Sequence, residues 1–251
     1  YILGLYEVLD RIFYQKHPNI LFESCSSGGN RFDLGMLCYS PQIWTSDDTD
    51  PIERLDIQGG MYNFYPPSTI SAHVSMSPHA QTLRATPLST RFNVACFGVL
   101  GYELDFAELT PDELNQVKSQ IKFYKAHRKT FQYGKFEFVN VDNPNQLSWQ
   151  VSRKDEIIAG LFQKKVNAAP YRDRLIIPSA CSDKKYSVNC VKQQLRIKTF
   201  GPLINHISPI RLKADGLILR TIDKRFSLTD GHECYECYGD ALNFGINLMA
   251  K

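Results

Sequence analysis

The 251-residue sequence has no long apolar run, no Asn-x-Ser/Thr sequon and no large excess of either charge. No stretch reaches the roughly 20 apolar residues that a membrane-spanning helix needs, so we expect no membrane partner. The net charge is only +3, with acidic and basic residues mixed, so we expect no nucleic-acid partner. The seven Cys are odd in number and irregularly spaced, which argues against a closed disulfide framework. Together with the missing sequons, this count favours a reducing compartment, and we expect a cytoplasmic protein.

Several catalytic and cofactor motifs are also missing. The sequence contains no GxSxG, no GxGxxG and no phosphate-binding glycine loop. The sequence has one CxxC motif, formed by Cys234 and Cys237. Cys181 and Cys190 have the wrong spacing for the second pair of a zinc site. We therefore expect buried or free thiols, no metal and no cofactor. The first residues lack the basic start and cleavage site of a signal peptide and already follow a helical pattern, which predicts a piece of a longer protein.

The first half of the chain alternates strand-like and helical segments. Two short apolar runs, at residues 19–24 and 42–45, predict strands, and residues 70–76 and 97–104 could form a third and a fourth. Runs that are apolar throughout are typical of parallel strands buried on both faces. Polar residues gather just after the strands, which suits the βα units of a barrel or of a doubly wound sheet.

Two helix starts carry capping signals. Asp50 stands before Pro51, as an N-cap before the first helical residue, and Thr110 stands in the same way before Pro111. Glu113 completes a capping box with Thr110. The second of these patterns predicts a long helix that ends near Tyr133 and Gly134, where the apolar stripe stops.

The pattern changes after about residue 145. Short β-rich segments separated by Pro, Gly, Asn and Asp are typical of an antiparallel sandwich, so we place a domain boundary between residues 138 and 145. The predicted strands are Ser148–Arg153, Ile157–Val166, Arg174–Ile177, Gln193–Thr199 and Leu217–Thr221.

Two segments hold the groups best suited to chemistry. ESCSSGGNRFDLGM, residues 23–36, follows a predicted strand, and its small residues would let backbone N–H groups approach a ligand closely. A flexible turn that leads into a helix explains the same residues equally well. Among the six His, His73 lies near a predicted strand end and could face a pocket, although a hydrogen-bonded core His is the more common outcome.

The second segment, WTSDDTD at residues 44–50, places three carboxylates within four positions. Crowding of like charges favours protonation of one of them, and a protonated carboxyl beside an aromatic ring suits a glycosidic acid catalyst. Asp50 is accounted for by helix capping, which leaves Asp47 and Asp48. An acidic loop could also bind a hard cation, but no second set of oxygen ligands accompanies it.

These segments together resemble a known family. The strings LFESCSSGGNRFDLGMLCYSPQIWTSDDTDPIERL, ISAHVSMSPH, TPLSTRFNVACFGVLGYELD and CYGDALNFGINL are similar to the C-terminal part of the α-galactosidases of glycoside hydrolase family 36. The resemblance runs in order along the chain, densely to about Asp105 and more loosely beyond it. The pairing of CSxGGxRxD with WTSDxTD at this separation is its most specific feature.

The resemblance implies an α/β plus all-β fold. Residues 1–138 would be the second part of a catalytic (β/α)8 barrel, and residues 139–251 a small antiparallel β-sandwich. It also implies a retaining enzyme that removes terminal α-1,6-linked galactose from melibiose and raffinose-family oligosaccharides, and a homo-tetramer in the full-length form. Asp47 would be the acid/base, and Cys25, Ser26, Ser27 and Gly28 would line the galactose subsite.

One departure from the family bears on activity. The family's nucleophile is an Asp in a Lys-Trp-Asp motif on an earlier strand, and this motif is absent from the sequence. The first half of the barrel and the N-terminal sandwich have no counterpart either, so we expect the chain to be inactive alone. Two alternatives stay open: an α-galactosyl transglycosylase similar to raffinose or stachyose synthase, and a non-catalytic sugar-binding or assembly module.

Overall fold

The structure, a computed structural model, describes most of the chain in two compact units. One unit comprises Tyr1–Met76 with Phe92–Phe136, and the other Ser77–Arg91 with Glu137–Lys251. The domain division expected at residues 138 and 139 stays a prediction. The described residues are 2–25, 28, 30–165, 174–191, 194–197, 204–206, 208–213, 216–225, 227–229 and 234–247.

The first unit alternates strands and helices, as its sequence pattern predicts. A π-helical segment, Leu9–Tyr14, continues its first helix. In chain order its main elements are α1 Ile2–Val8, β1 Glu23–Ser24, α2 Leu34–Leu37, β2 Gln42–Trp44, α3 Pro51–Tyr62, β3 Ile70–Ser75, α4 Leu88–Ala95 (which starts in the second unit's range), β4 Val99–Glu103 and α5 Pro111–Tyr133.

Strands β1 to β4 form one parallel sheet in sequential order. In the register, Trp44 of β2 lies opposite Ser71 of β3, and His73 of β3 lies opposite Gly101 of β4. Because all four strands are parallel, the segments that follow them lie at one edge of the sheet. The expected α/β character is confirmed, whereas closure into a (β/α)8 barrel stays a prediction.

Both predicted helix starts are confirmed. The Asp50 carboxylate accepts a hydrogen bond from the Ile52 amide at 2.9 Å. Thr110 and Glu113 form the complete capping box that begins α5. Tyr124 of α5 then anchors this helix to the sheet, since its hydroxyl donates to the Gly98 carbonyl at 2.8 Å.

The second half of the described chain is rich in short strands. Strands β6 and β7 pair in antiparallel fashion over eight residues each and belong to a three-stranded sheet with β5. Three more antiparallel pairs join β8 to β13, β9 to β12 and β10 to β11. The elements are β5 Lys135–Val139, β6 Gln146–Arg153, β7 Glu156–Gln163, β8 Arg174–Leu175, β9 Lys185–Asn189, β10 Gln194–Arg196, α6 Leu217–Arg225, β11 Ser227–Thr229, β12 Cys234–Tyr238, α7 Gly239–Phe244 and β13 Ile246–Asn247.

Two predictions about elements were wrong. The segment Leu217–Thr221, expected as a strand, begins helix α6. Leu217 and Ile218 are exposed while Leu219 is buried, and the partly buried Ile222 follows three residues later, so the apolar contacts have helical spacing. The first strand is also shorter than its apolar run, because Ile20 and Leu21 precede β1 and stay exposed. The sandwich expected for the second half stays a prediction.

Candidate active site

Asp47 lies just beyond the carboxyl end of β2, and its side chain is exposed. The indole Nε1 of Trp44, the last residue of β2, donates to Asp47 Oδ1 at 3.1 Å. The bond spans three residues, so the turn after the strand folds the carboxylate back over the strand end. A carboxyl group at this end of a parallel strand is where α/β enzymes place catalytic groups.

The other two carboxylates of the acidic segment hold the backbone in place. Asp50 is fully buried and caps α3. Asp48 Oδ1 accepts a hydrogen bond from the Asp50 amide at 3.0 Å, and the Asp48 amide donates to Ser46 Oγ at 3.1 Å. Asp48 and Asp50 therefore shape the turn that presents Asp47.

Two side chains contact the ring of Trp44. The Arg54 guanidinium carbon lies 4.3 Å from the ring centroid, and the His73 imidazole stacks on the ring with centroids 4.2 Å apart. Guanidinium groups and aromatic rings are both attracted to an indole face. The Trp44 ring, which orients Asp47, thus contacts both helix α3, through Arg54, and the neighbouring strand β3, through His73.

Arg54, on α3, is almost completely buried, with 2% of its surface exposed. Its guanidinium donates to Thr45 Oγ1 at 2.9 Å and to the Ser71 carbonyl at 3.2 Å, so it joins β2 to β3. Burial lowers the pKa of Arg54 to about 10, and Asp48, Glu103 and Asp47 act against this shift. The group therefore stays protonated at neutral pH and places a positive charge beneath the acidic turn.

The sequence reasoning missed Arg54, although a signal was present. Pro51, Leu55, Gln58 and Tyr62 form the buried stripe of α3, and Arg54 falls on this stripe at helical spacing. A charged residue on an otherwise buried stripe needs partners, and such partners are commonly functional.

His73 is fixed from two further directions. Its Nδ1 lies 3.3 Å from Glu103 Oε2, at the carboxyl end of β4. On β4, a Cβ atom at Gly101 would lie only 2.6 Å from His73 Cδ2, so the imidazole occupies the space that glycine leaves. The sequence left two interpretations of His73 open, a residue facing a pocket or a hydrogen-bonded core His, and the structure places it in the stack beside Trp44 with Glu103 near its Nδ1.

The glycine-rich segment reaches the same edge of the sheet. Cys25 follows β1 directly and is exposed. Gly28 has a positive φ of 88°, and a Cβ there would lie 3.3 Å from both Thr45 O and Ser46 Cα. This conformation and this close approach both favour glycine.

Ser26 and Ser27, predicted to line the galactose subsite, lie outside the described residues. Glu23, at the start of β1, accepts hydrogen bonds from the side-chain amide of Gln42 and from the Ser71 hydroxyl. These bonds link β1 to β2 and β3. Strand β1 is therefore tied through Glu23 to the strand that carries the acidic turn.

The described residues hold no group of three or more His, Cys, Asp or Glu arranged for a metal ion. Among these residues, no helix is both long and apolar enough to cross a membrane. Cys234 and Cys237 are free thiols on β12. Cys234 Sγ lies 3.0 Å from Asn189 Oδ1, whereas Cys237 packs against the buried cluster that includes Leu242.

Comparison with known proteins decides the family. The melibiase family model matches residues 1–134, more than half of the chain and all of the site described above. The chain belongs to the melibiase family. The resemblance to family 36 α-galactosidases, inferred from the two motifs, is confirmed.

Melibiase relatives match the chain beyond this region. Alpha-galactosidase Mel36A of Lactobacillus acidophilus is 42% identical over 188 residues, which cover 74% of this chain and 26% of Mel36A. Alpha-galactosidase 1 of Pediococcus pentosaceus is 47% identical over 175 residues, covering 68% of this chain and 24% of that protein. The chain thus spans about a quarter of the length of the relatives it matches.

Solved structures of the family share the fold. The GH36 α-galactosidase AgaA of Geobacillus stearothermophilus superimposes with a TM-score of 0.76 at 34% identity, covering all of this chain and 29% of AgaA. A variant of AgaA in complex with raffinose gives a TM-score of 0.71 at 40% identity, covering 74% of this chain and 26% of that one.

Proposed function

We propose that this chain supplies the acid/base side of a retaining α-galactosidase site, with Asp47 as the proton-transferring residue. One observation carries the assignment: of the three carboxylates in the turn after β2, Asp48 and Asp50 accept backbone hydrogen bonds, while exposed Asp47 is oriented by Trp44. The names of the melibiase relatives, all α-galactosidases, support the same activity.

The reaction proceeds in two steps in which Asp47 exchanges one proton. Protonated Asp47 first donates to the glycosidic oxygen, so the O–H bond of the leaving sugar forms as its bond to C1 of galactose breaks. In the same step, a nucleophilic carboxylate forms a bond to C1, which gives a covalent glycosyl-enzyme. In the second step, ionised Asp47 removes a proton from water and so becomes the acid again. The water oxygen attacks C1 and displaces the nucleophilic carboxylate.

The galactose subsite is proposed next to this turn. The backbone at Gly28 packs against Thr45 and Ser46, so the glycine-rich segment and the acidic turn border the same space. Cys25, which follows β1 in the same segment, is exposed. Ser26 and Ser27 complete the proposed subsite on the strength of the family motif.

The covalent step requires a nucleophile from outside these 251 residues, since the sequence contains no Lys-Trp-Asp motif. Two features of the first unit support an incomplete site. Strand β1 pairs only with β2 among the described strands, and Ile2 and Leu3 of α1 are 67% and 85% exposed. An open strand edge and an apolar helix face are surfaces that a complete barrel covers.

The proposed substrates are oligosaccharides with terminal α-1,6-linked galactose, such as raffinose and melibiose. AgaA variants that resemble this chain are known in complex with raffinose and with stachyose, which supports this class. A tetrameric full-length enzyme and a cytoplasmic location stay predictions.

The test measures p-nitrophenol release from p-nitrophenyl α-galactoside. We expect no turnover by the 251-residue chain, and turnover when it is joined to a barrel half that carries the Lys-Trp-Asp strand. In the joined enzyme, Asp47→Asn should abolish the release of galactose from raffinose, because its sugar leaving group needs a proton. Turnover by the chain alone, lost in Asp47→Asn, would show that its site is already complete.

A further inference from the structure

We propose that Trp44 is a positioning residue that reserves Oδ1 of Asp47 as a hydrogen-bond acceptor and leaves Oδ2 for the transferred proton. This inference rests on the proposed role of Asp47 as acid/base. It adds an assignment of the two carboxyl oxygens and a role for the side chains stacked on Trp44.

The assignment follows from what an indole can do. The indole N–H donates a hydrogen bond and has no lone pair to accept one. Trp44 Nε1 lies 3.1 Å from Asp47 Oδ1, so Oδ1 stays the acceptor whether Asp47 is ionised or protonated. The acidic proton therefore resides on Oδ2. In the first step the Oδ2–H bond breaks as the leaving oxygen gains its hydrogen, and in the second step Oδ2 takes a proton from water.

The position of the indole is set by the register of three strands. Trp44 of β2 pairs with Ser71 of β3, and His73, two residues further along β3, points to the same side of the sheet. The imidazole stacks on the indole at 4.2 Å, and Glu103 of β4 holds the imidazole through Nδ1 at 3.3 Å. Strand positions thus determine the direction of the N–H group.

Helix α3 holds the indole independently. The Arg54 guanidinium lies 4.3 Å from the ring centroid and is itself tied to the Ser71 carbonyl. An aromatic ring beside a glycosidase site could instead stack on a sugar. Trp44 already has its N–H group bonded and two groups of its own chain on its ring, so we expect it to affect the chemical step and not sugar binding.

The first test uses Trp44→Phe in the complete enzyme, because phenylalanine keeps a ring for stacking but has no N–H. We expect kcat for raffinose to fall ~10- to 100-fold, the range for loss of a hydrogen bond to a charged group. For an activated aryl α-galactoside, whose leaving group needs little protonation, kcat/KM reports the first step and should change less than about 3-fold. KM for raffinose should stay within about 2-fold, because the lost hydrogen bond does not contribute to binding of the ground state.

Each outcome decides between the alternatives. A raised KM with unchanged kcat would make Trp44 a sugar platform and overturn the proposal. Asp47→Asn is measured in parallel: if it separates the two substrates but Trp44→Phe does not, the positioning role fails while the acid/base role stands. If Asp47→Asn does not separate them, the proposed function itself fails.

A second test reads the hydrogen bond directly in the 251-residue chain. Trp44 and Trp149 are the only Trp, so a ¹⁵N-indole spectrum contains two N–H signals, and Trp44→Phe identifies one of them. Asp47→Asn should shift the Trp44 signal, because the acceptor loses its charge. Asp48→Asn removes the same charge one residue away and should leave the signal nearly in place. Equal shifts in both variants would show that no such bond exists.

A third variant tests the stack without touching the acidic turn. Gly101→Ala places a methyl group where the His73 ring now lies, since the added Cβ would be 2.6 Å from Cδ2. We expect the Trp44 indole signal to shift in the same direction as in Asp47→Asn. We also expect kcat for raffinose to fall selectively, as in Trp44→Phe. His73→Phe, which keeps a stacked ring, should shift the Trp44 signal less than Gly101→Ala does. An unaffected enzyme in Gly101→Ala would remove His73 from the positioning group.

Discussion

Replacing Asp47 by alanine in the complete enzyme should separate substrates by the quality of their leaving groups. General acid catalysis contributes about 10²- to 10⁴-fold, which corresponds to ~2.7–5.5 kcal/mol at 1.36 kcal/mol per factor of ten. Raffinose, whose sugar leaving group needs a proton, should lose this full factor. An activated aryl α-galactoside should lose less than about 10-fold in its first step, because its phenolate departs unprotonated.

The structure limits the side effects of this substitution. Asp47 is exposed, and Trp44 beside it is only partly buried, so water can replace the carboxylate as acceptor for the indole N–H. We therefore expect less than about 1 kcal/mol change in the free energy of unfolding. Because global stability is kept, a loss of rate measures chemistry.

The assay is kcat/KM for raffinose and for the aryl substrate, with two matched variants. Asp47→Asn and Asp48→Asn remove one charge each from adjacent residues, and an asparagine at 48 still offers an oxygen to the Asp50 amide. Only the change at Asp47 should separate the substrates. Equal losses on both substrates at Asp47, or the same separation in Asp48→Asn, would refute the assignment of the acid.

Three further predictions concern residues around the turn. Gly28→Ala should weaken galactose binding ~10-fold by calorimetry, because the positive φ strains an alanine and its Cβ, 3.3 Å from Thr45 O, would push against the acidic turn. Arg54→Met should lower the free energy of unfolding by ~2–3 kcal/mol in urea titrations, since buried acceptors lose their donor. Cys25 should react with iodoacetamide and be protected by galactose, and absence of protection would place it outside the subsite. Cys96 should stay unmodified by mass spectrometry, because burial raises the pKa of its thiol.

The elements that the sequence predicts well are those defined by local chemistry. Helix α5 was expected from Thr110 to about Tyr133 and spans Pro111–Tyr133, because the capping box and the apolar stripe are both local signals. Strand β3 was expected at residues 70–76 and spans Ile70–Ser75, where Ile70, Ala72 and Val74 alternate with polar residues at the period of a strand. The prediction for Leu217–Thr221 failed because a segment with four apolar or β-branched residues among five fits either a strand or one turn of a partly buried helix.

The site was only partly predictable for a related reason. Asp47 and Gly28 belong to motifs that are contiguous in sequence, so both could be named from the residues and the family resemblance. The contacts of Trp44 with His73 and Arg54 depend on the register of β2 against β3 and on the rotation of α3. No local pattern specifies either quantity, because both are set by packing between elements.

Arg54 shows why the acidic turn tolerates its charges. Removing a guanidinium from water is costly, as the fall of its pKa to about 10 reflects. The cost is offset by hydrogen bonds to Thr45, just after β2, and to Ser71 of β3, and by attraction to Asp48, Glu103 and Asp47. A neutral residue of the same size would keep the packing but leave the crowded carboxylates without a nearby positive charge. Arg54→Met should therefore weaken both the sheet edge and the electrostatic setting of Asp47, whereas Trp44→Phe should affect only the latter, through the lost N–H bond. Comparing the two variants separates stability from proton transfer at one site.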